Sequence, residues 1–171
     1  GAFEDLDSDA FAGIGNKTTW NFTTPKFTDL APSLPQAAYG SVVWGDYDND
    51  DDLDILLTGW DGAYTSKIYR NDGSNTYTDI GAGLTGVDYS YAAWGDYDAD
   101  GDLDIALSGW NGGYVCEIYR NDGSDTFADV GAALPGVVYS FVSWGDYDAD
   151  GDLDILVNGM DSGSNRISNI Y

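Results

Sequence analysis

The 171-residue chain contains no histidine, a single cysteine, and only six Lys and Arg against 30 acidic residues. Without histidine and with Cys116 alone, a Cys/His zinc site, a Ser-His-Asp or Cys-His catalytic centre and an intrachain disulfide are excluded. The formal net charge of −24 excludes a nucleic-acid binder that relies on a basic face. No apolar run reaches the ~20 residues of a membrane span. We therefore expect a non-enzymatic protein with no nucleic-acid partner and no membrane span.

The acidity comes almost entirely from aspartate, since Glu4 and Glu117 are the only glutamates. The chain is nevertheless 43% hydrophobic and 15% aromatic, which is typical of a folded rather than a disordered acidic protein. It begins at Gly1 without a basic, apolar leader, so we expect a mature, exported product at an extracellular or cell-surface location. Asn16 and Asn21 lie in Asn-x-Thr sequons and are candidate glycosylation sites in an exported chain.

The sequence repeats with a period of fifty residues. Residues 41–90 and 91–140 are identical at 31 of 50 positions, and Trp44, Trp94 and Trp144 are spaced by fifty. We divide the chain into an N-terminal extension, 1–26, and a repeat domain, 27–171, with repeats at about 27–76, 77–126 and 127–171. A period of this length is typical of repeat architectures.

Hydrophobic alternation predicts that the repeats are all-β. For the complete unit that contains Trp94 we predict strands at about 89–94, 103–108, 114–120 and 126–130, with the Asp-Gly of Asn121-Asp122-Gly123-Ser124 supplying the positive φ of a hairpin turn. Four short antiparallel strands per unit match the size of a propeller blade. The fold class is therefore all-β, with about three four-stranded antiparallel propeller-like blades in tandem. A linear β-solenoid is the alternative.

An acidic loop joins the first two predicted strands of each repeat. The pattern D-x-D-x-D-x-D-L-D occurs at 46–54, 96–104 and 146–154, and these loops hold 16 of the 30 acids. Carboxylates at positions 1, 3, 5 and 9, with a carbonyl at position 7, can surround a hard cation, and Ca²⁺ fits this set better than Mg²⁺. Gly101 and Gly151 allow the sharp turn at position 6. Asp51 stands there in the first loop and tolerates the same left-handed geometry. The alternative is that the loops are solvated acidic turns.

These repeats resemble the FG-GAP/VCBS repeat of integrin α-subunit propellers, fungal lectins and large secreted bacterial proteins. The resemblance covers roughly 27–171 and implies a four-stranded blade with calcium in its acidic loop. It implies three Ca²⁺ per chain, with fifteen metal ligands. They are Asp46, Asp48, Asp50, Asp52, Asp54, Asp96, Asp98, Asp100, Asp102, Asp104, Asp146, Asp148, Asp150, Asp152 and Asp154.

Aromatic residues outside the loops are candidates for packing or recognition. Trp60 and Trp110 each follow a glycine at the end of a predicted strand, and they are candidates either for packing or for stacking on sugar rings. The tryptophans at 44, 94 and 144 stand beside small residues, and we predict that they belong to the core. Cys116 is expected to be a free thiol in a strand.

The predicted strands do not begin and end at a blade boundary. Phe27, Thr28, Asp29 and Leu30 align with residues 77–80 and 127–130, so the repeat domain starts with a fourth strand. The last repeat has a degraded third strand at 165–171 and no fourth. We expect strand 27–30 to complete the last blade of a neighbouring copy, with 1–26 as an assembly arm; a disordered leader is the alternative for 1–26.

Two functions follow from these features. The first is a secreted, calcium-stabilised repeat protein that assembles head to tail by strand complementation into an extracellular filament or surface structure. The second is a calcium-dependent lectin or adhesin that binds glycans and forms a closed oligomeric propeller.

Overall fold

The computed structural model describes residues 34–171. This range contains eleven strands and no helix, and so no helix that could cross a membrane. The predicted arm 1–26, the sequons at Asn16 and Asn21 and the predicted strand 27–30 lie outside the described residues.

The strands form three antiparallel sheets that follow one another along the chain. The first sheet contains β1 (Val42–Gly45), β2 (Asp54–Trp60), β3 (Tyr64–Asn71) and β4 (Tyr77–Asp79). The second contains β5 (Asp88–Gly95), β6 (Asp104–Trp110), β7 (Tyr114–Asn121) and β8 (Phe127–Asp129). The third contains β9 (Val138–Gly145), β10 (Asp154–Met160) and β11 (Arg166–Ile170).

Each sheet is a meander in which neighbouring strands in sequence are hydrogen-bonded neighbours in space. The observed strands β5 to β8 agree with the predicted ones to within two residues at every end. The predicted turn glycine adopts the left-handed region, with φ of 78° at Gly73 and 74° at Gly123. The described residues form separate propeller-like sheets and no closed barrel, and the third sheet has three strands where the first two have four.

Two hydrophobic clusters lie between successive sheets. Ile105 and Leu107 of β6 pack in a cluster with Leu56 and Ile68 of the first sheet. Ala106, between them in sequence, joins Val142 and other residues of the third sheet. Because successive side chains of a strand point to opposite faces, β6 is buried on both sides. The core is therefore built from contacts between sheets.

The burial of the three repeated tryptophans differs. Trp94 and Trp144 are half-buried and pack against the two clusters between the sheets. Trp44 is 55% exposed, so the prediction that it belongs to the core is wrong. The difference follows from position: Trp94 and Trp144 each lie against a preceding sheet, and the first sheet comes before all others in the described range.

Candidate metal centre

The acidic loops connect β1 to β2, β5 to β6 and β9 to β10, as predicted. The aspartate at position 1 closes each loop by accepting two backbone N–H groups. In the second loop, the amides of Asp100 and Gly101 donate to the two oxygens of Asp96 at 3.0 and 3.1 Å. The same pair of bonds is made to Asp46 and to Asp146. These bonds fold the loop back on itself and bring its carboxylates together.

The turn at position 6 uses left-handed backbone in all three loops. Asp51 has φ of 72°, and Gly101 and Gly151 have φ of 98° and 103°. The prediction that Asp51 adopts the glycine-like conformation is confirmed. Ala99 and Ala149 at position 4 also have positive φ, 57° and 61°, although alanine disfavours this region. The loop geometry is thus kept where the local residue opposes it, which indicates that contacts across the loop determine it.

The aspartate at position 9 anchors the base of the loop. Asp104 is fully buried and accepts hydrogen bonds from the amides of Tyr97, at 3.0 Å, and Asn121, at 2.8 Å. Asp54 is bonded in the same way in the first sheet. Burial raises the pKa of both carboxyls to about 6. A nearby cation would favour their charged form and offset this desolvation.

The asparagine that begins each Asn-Asp-Gly-Ser turn is a second anchor of the loop, and the sequence analysis missed it. Asn121 begins the Asn-Asp-Gly-Ser turn, and its side-chain amide donates to the carbonyl of Leu103 in the acidic loop at 3.3 Å. It also donates at 2.9 Å to the carbonyl of Tyr47 in the first sheet's loop. Asn71 makes the corresponding bond within its own sheet, to Leu53 at 3.2 Å. The recurrence of this asparagine in both turns was the sequence signal that could have indicated a structural role for it.

The third loop has a weaker anchor. Tyr171 pairs with Ile155, as Tyr69 pairs with Ile55 and Tyr119 with Ile105. The described residues of the third sheet therefore include no counterpart of Asn71 and Asn121. Asp154 accepts the Tyr147 amide at 2.9 Å and is half-buried, whereas its counterparts Asp54 and Asp104 are fully buried. The base of the third loop is therefore more open to water than that of the first two.

Each loop gathers three carboxylates whose oxygen atoms lie within 4.8 Å of one another. The clusters are Asp46, Asp48 and Asp50 in the first loop, Asp96, Asp98 and Asp104 in the second, and Asp146, Asp148 and Asp154 in the third. Like charges at these distances repel strongly unless a cation or protons neutralise them. The arrangement can therefore hold one metal ion per sheet.

The remaining predicted ligands lie on the same loops but outside these tight groups. Asp102 accepts a hydrogen bond at 2.8 Å from the side-chain amide of Asn49, which links the first and second loops. Asp100 accepts the amide of Asp102 at 2.9 Å. In the first loop Asp50, which belongs to the tight group, accepts the amide of Asp52 at the same distance. Ligand roles for all fifteen aspartates remain predictions.

The two predicted sugar-stacking residues lie at the ends of β2 and β6. Trp60 packs edge-on against Tyr64, with ring centroids 5.1 Å apart, and Trp110 packs in the same way on Tyr114 at 5.2 Å. Trp110 and Tyr114 also line a cleft of about 210 Å³ together with Tyr139 of the third sheet. The structure thus places one of the two tryptophans in an aromatic cleft between sheets.

The antiparallel sheets and their regularly spaced loops define an all-β repeat protein with one acidic loop in each repeat. The family profile of the FG-GAP-like repeat matches residues 46–107 and 96–157. Each match contains two acidic loops, and together they span more than half of the chain. The chain therefore belongs to the FG-GAP-like repeat family. No curated protein matches the chain.

Proposed function

We propose that this chain is a non-enzymatic, calcium-stabilised subunit that assembles head to tail into an extracellular filament or surface structure. The proposal rests on the outer edge of β11, which has no neighbouring strand among the described residues. In the first two sheets, β4 and β8 pair with the third strand. Within residues 34–171, β11 pairs only with β10. An uncovered strand edge is an aggregation hazard, and an added strand would cover it through main-chain hydrogen bonds.

Strand 27–30 of a second copy is the proposed occupant of this edge. It aligns with β4 and β8, the strands that hold this place in the first two sheets. Phe127, the counterpart of Phe27 in β8, is 9% exposed, so the position suits a buried aromatic residue. A contact of this kind joins different surfaces of the two copies, and it grows into a filament unless its rotation closes a ring.

Calcium is the proposed cation of the three loops. The ligands are carboxylate and carbonyl oxygens, which hard cations prefer, and the number of oxygens in each loop suits the six to eight ligands of Ca²⁺. Binding one Ca²⁺ in each loop would reduce the formal charge from −24 to −18. Metal binding would thereby be coupled to folding, because it removes the repulsion that the folded loops create.

The absence of enzymatic activity is part of the same proposal. The chain has no histidine, and Cys116 is buried in β7. Burial raises the pKa of its thiol to about 12, which keeps it protonated and unreactive at neutral pH. Bound calcium would hold the clustered aspartates ionised, so they would make poor proton donors.

Deletion of residues 1–30 tests the assembly. The truncated chain should fold, bind calcium and remain monomeric in negative-stain images and sedimentation, while the full chain forms fibres. A synthetic peptide of residues 1–35 should bind the truncated chain saturably. Fibres like those of the full chain, formed by the truncated chain alone, would contradict the strand assignment.

Point substitutions refine the same test. Phe27→Asp places a charge at an aromatic position and should raise the dissociation constant of assembly by a factor of about 10²–10³. Thr28→Ala is the matched control, because the third repeat carries Ala128 at this position. It should assemble like the unmodified chain.

A calcium-dependent lectin is the second candidate function, and the cleft beside Trp110 and Tyr139 favours it. Aromatic faces pack well on the apolar faces of sugar rings. Retention of the calcium-loaded chain on immobilised neutral oligosaccharides, lost in Trp110→Ala, would support this function. Small closed rings in negative stain would favour it over a filament.

A further inference from the structure

The contact between successive sheets repeats around one tryptophan. Trp94 of the second sheet stacks on Tyr47 of the first, with ring centroids 6.2 Å apart and an interplanar angle of 7°. It also lies so close to Gly45 that a Cβ added there would be 2.6 Å from the indole Cδ1. Each junction therefore places an indole from the later sheet on a glycine and a tyrosine of the earlier one.

The junction between the second and third sheets has the same construction. Trp144 stacks on Tyr97 at 6.0 Å with an interplanar angle of 14°. A Cβ added at Gly95 would be 2.4 Å from the Trp144 Cδ1. The same three residue types thus meet twice, fifty residues apart.

Both sides of this contact are also present and exposed on the outer sheets: the tryptophan side on the first sheet and the tyrosine side on the third. On the first sheet, Trp44 is 55% exposed and Val42 is 56% exposed, although Ala92, the counterpart of Val42, is fully buried. On the third sheet, Tyr147 is 69% exposed, while Tyr47 is only 2% exposed. The residues that form each internal junction are therefore available at both ends.

The third sheet also has an open cleft. It lies at the place that, in the first and second sheets, is occupied by the indole of the following sheet. A Cβ added at Gly145 would meet no atom of residues 34–171 within 4 Å. Gly145, Tyr147, Leu156 and Ile170 line a cleft of about 230 Å³. Leu156 is 40% exposed, whereas its counterpart Leu56 is fully buried under the second sheet.

We propose that this cleft binds the Trp44 indole of a second copy, which stacks on Tyr147 and lies against Gly145. The inference rests on the proposed head-to-tail assembly and names the surfaces that meet. Continuity with the internal junctions selects a second copy as the occupant, because Trp44 has the same place in the repeat as Trp94 and Trp144. The strand at 27–30 precedes Trp44 by the same seventeen residues that separate Tyr77 from Trp94. Strand 27–30 and the Trp44 indole of one copy would then both dock on the third sheet of the other copy.

Sedimentation velocity of the full chain in calcium tests this interface. Trp44→Ala and Gly145→Val should each raise the dissociation constant of assembly at least about 30-fold, since a central tryptophan commonly dominates an interface. Trp60→Ala is the matched control, because Trp60 is also exposed and lies on the same sheet as Trp44. It should assemble normally. Thermal unfolding of the variants at concentrations where the chain is monomeric should stay close to that of the unmodified chain.

Mixing the two defective variants gives a sharper result. Trp44→Ala retains an intact cleft, and Gly145→Val retains an intact Trp44, so the mixture has one functional interface. It should form a one-to-one dimer that grows no further, while each variant alone remains monomeric. This outcome requires two different surfaces and would not arise from an interface formed by identical patches.

The outcomes separate the inference from the proposed function. If the unmodified chain assembles and Trp44→Ala assembles equally well, head-to-tail assembly stands and the Trp44 interface is wrong. If the unmodified chain remains monomeric in calcium at all concentrations tested, both the assembly and the interface are wrong.

Discussion

Replacement of Asn121 by alanine should measure the contribution of one hydrogen bond between the first two sheets, the bond from Asn121 to Tyr47. Asn121 is 3% exposed. Its side-chain amide donates to the carbonyls of Tyr47 and Leu103, and its carbonyl oxygen accepts the amide of Gly123 at 3.0 Å. Asn71→Ala is the matched variant, because Asn71 bonds to Leu53 and Gly73 in the same way within the first sheet. The donation to Tyr47 is the bond that Asn121 makes to another sheet.

The expected magnitudes follow from these bonds. A typical hydrogen bond contributes about 0.5–1.5 kcal/mol, and a buried group left without a partner costs about 1–3 kcal/mol. Asn121→Ala removes three bonds and leaves the Tyr47 carbonyl without this donor, so it should lower the free energy of unfolding by about 2–4 kcal/mol. Asn71→Ala removes two bonds at a half-buried position. Its loss of unfolding free energy should therefore be about 1–2 kcal/mol smaller than that of Asn121→Ala.

Urea unfolding of both variants in saturating calcium, at concentrations where the chain is monomeric, measures the difference. Equal slopes of free energy against urea would show that the variants unfold from comparable states. A thermal scan should show the same order, with about 2–4 °C for each kcal/mol. Destabilisation by Asn71→Ala equal to or greater than that by Asn121→Ala would refute the role of the bond to Tyr47.

Three further predictions concern the loops. Removal of calcium by EDTA should lower the midpoint of thermal unfolding, and a midpoint insensitive to EDTA would contradict the coupling of calcium binding to folding. In calcium, Asp100→Ala should lower the midpoint more than Asp61→Ala, which changes an exposed aspartate. In EDTA, burial holds the pKa of Asp104 at about 6, above its unfolded value, so acidification from pH 7 to 5 should raise the urea midpoint. In calcium, the same change should lower it, because protons compete with the metal. Ala99→Asn should stabilise by about 0.5–1 kcal/mol in urea unfolding, since asparagine tolerates positive φ better than alanine, and an unchanged midpoint would argue against strain at this position.

Much of the fold could be predicted from the sequence because its signals are local. Alternation of Ile105, Ala106 and Leu107 predicts a strand whatever surrounds it. The Asp-Gly pairs predict turns because Gly73 and Gly123 can adopt positive φ. The spacing of aspartates predicts acidic loops, and the left-handed residue at Asp51 was expected from the same reasoning.

Parts of the candidate site depended on neighbours that local patterns do not reveal. Alternation alone does not show that both faces of β6 are buried, because that requires a sheet on each side. The tight carboxylate group includes Asp104 in the second loop but Asp50 in the first, although the two loops share one spacing. The bond from Asn121 to Tyr47 joins residues 74 positions apart, beyond the reach of any motif.

The sequence by itself determined the fifty-residue period, the strands and the acidic loops, since each depends on interactions within a few residues. Only the tertiary structure decided which repeated residues are buried. Trp44 and Trp94 share the sequence Trp-Gly-Asp-Tyr-Asp, yet Trp44 is 55% exposed and Trp94 lies against Gly45 and Tyr47. Burial depends on which sheet packs on a residue, and similar repeats acquire different neighbours because each has a different place in the order of the sheets.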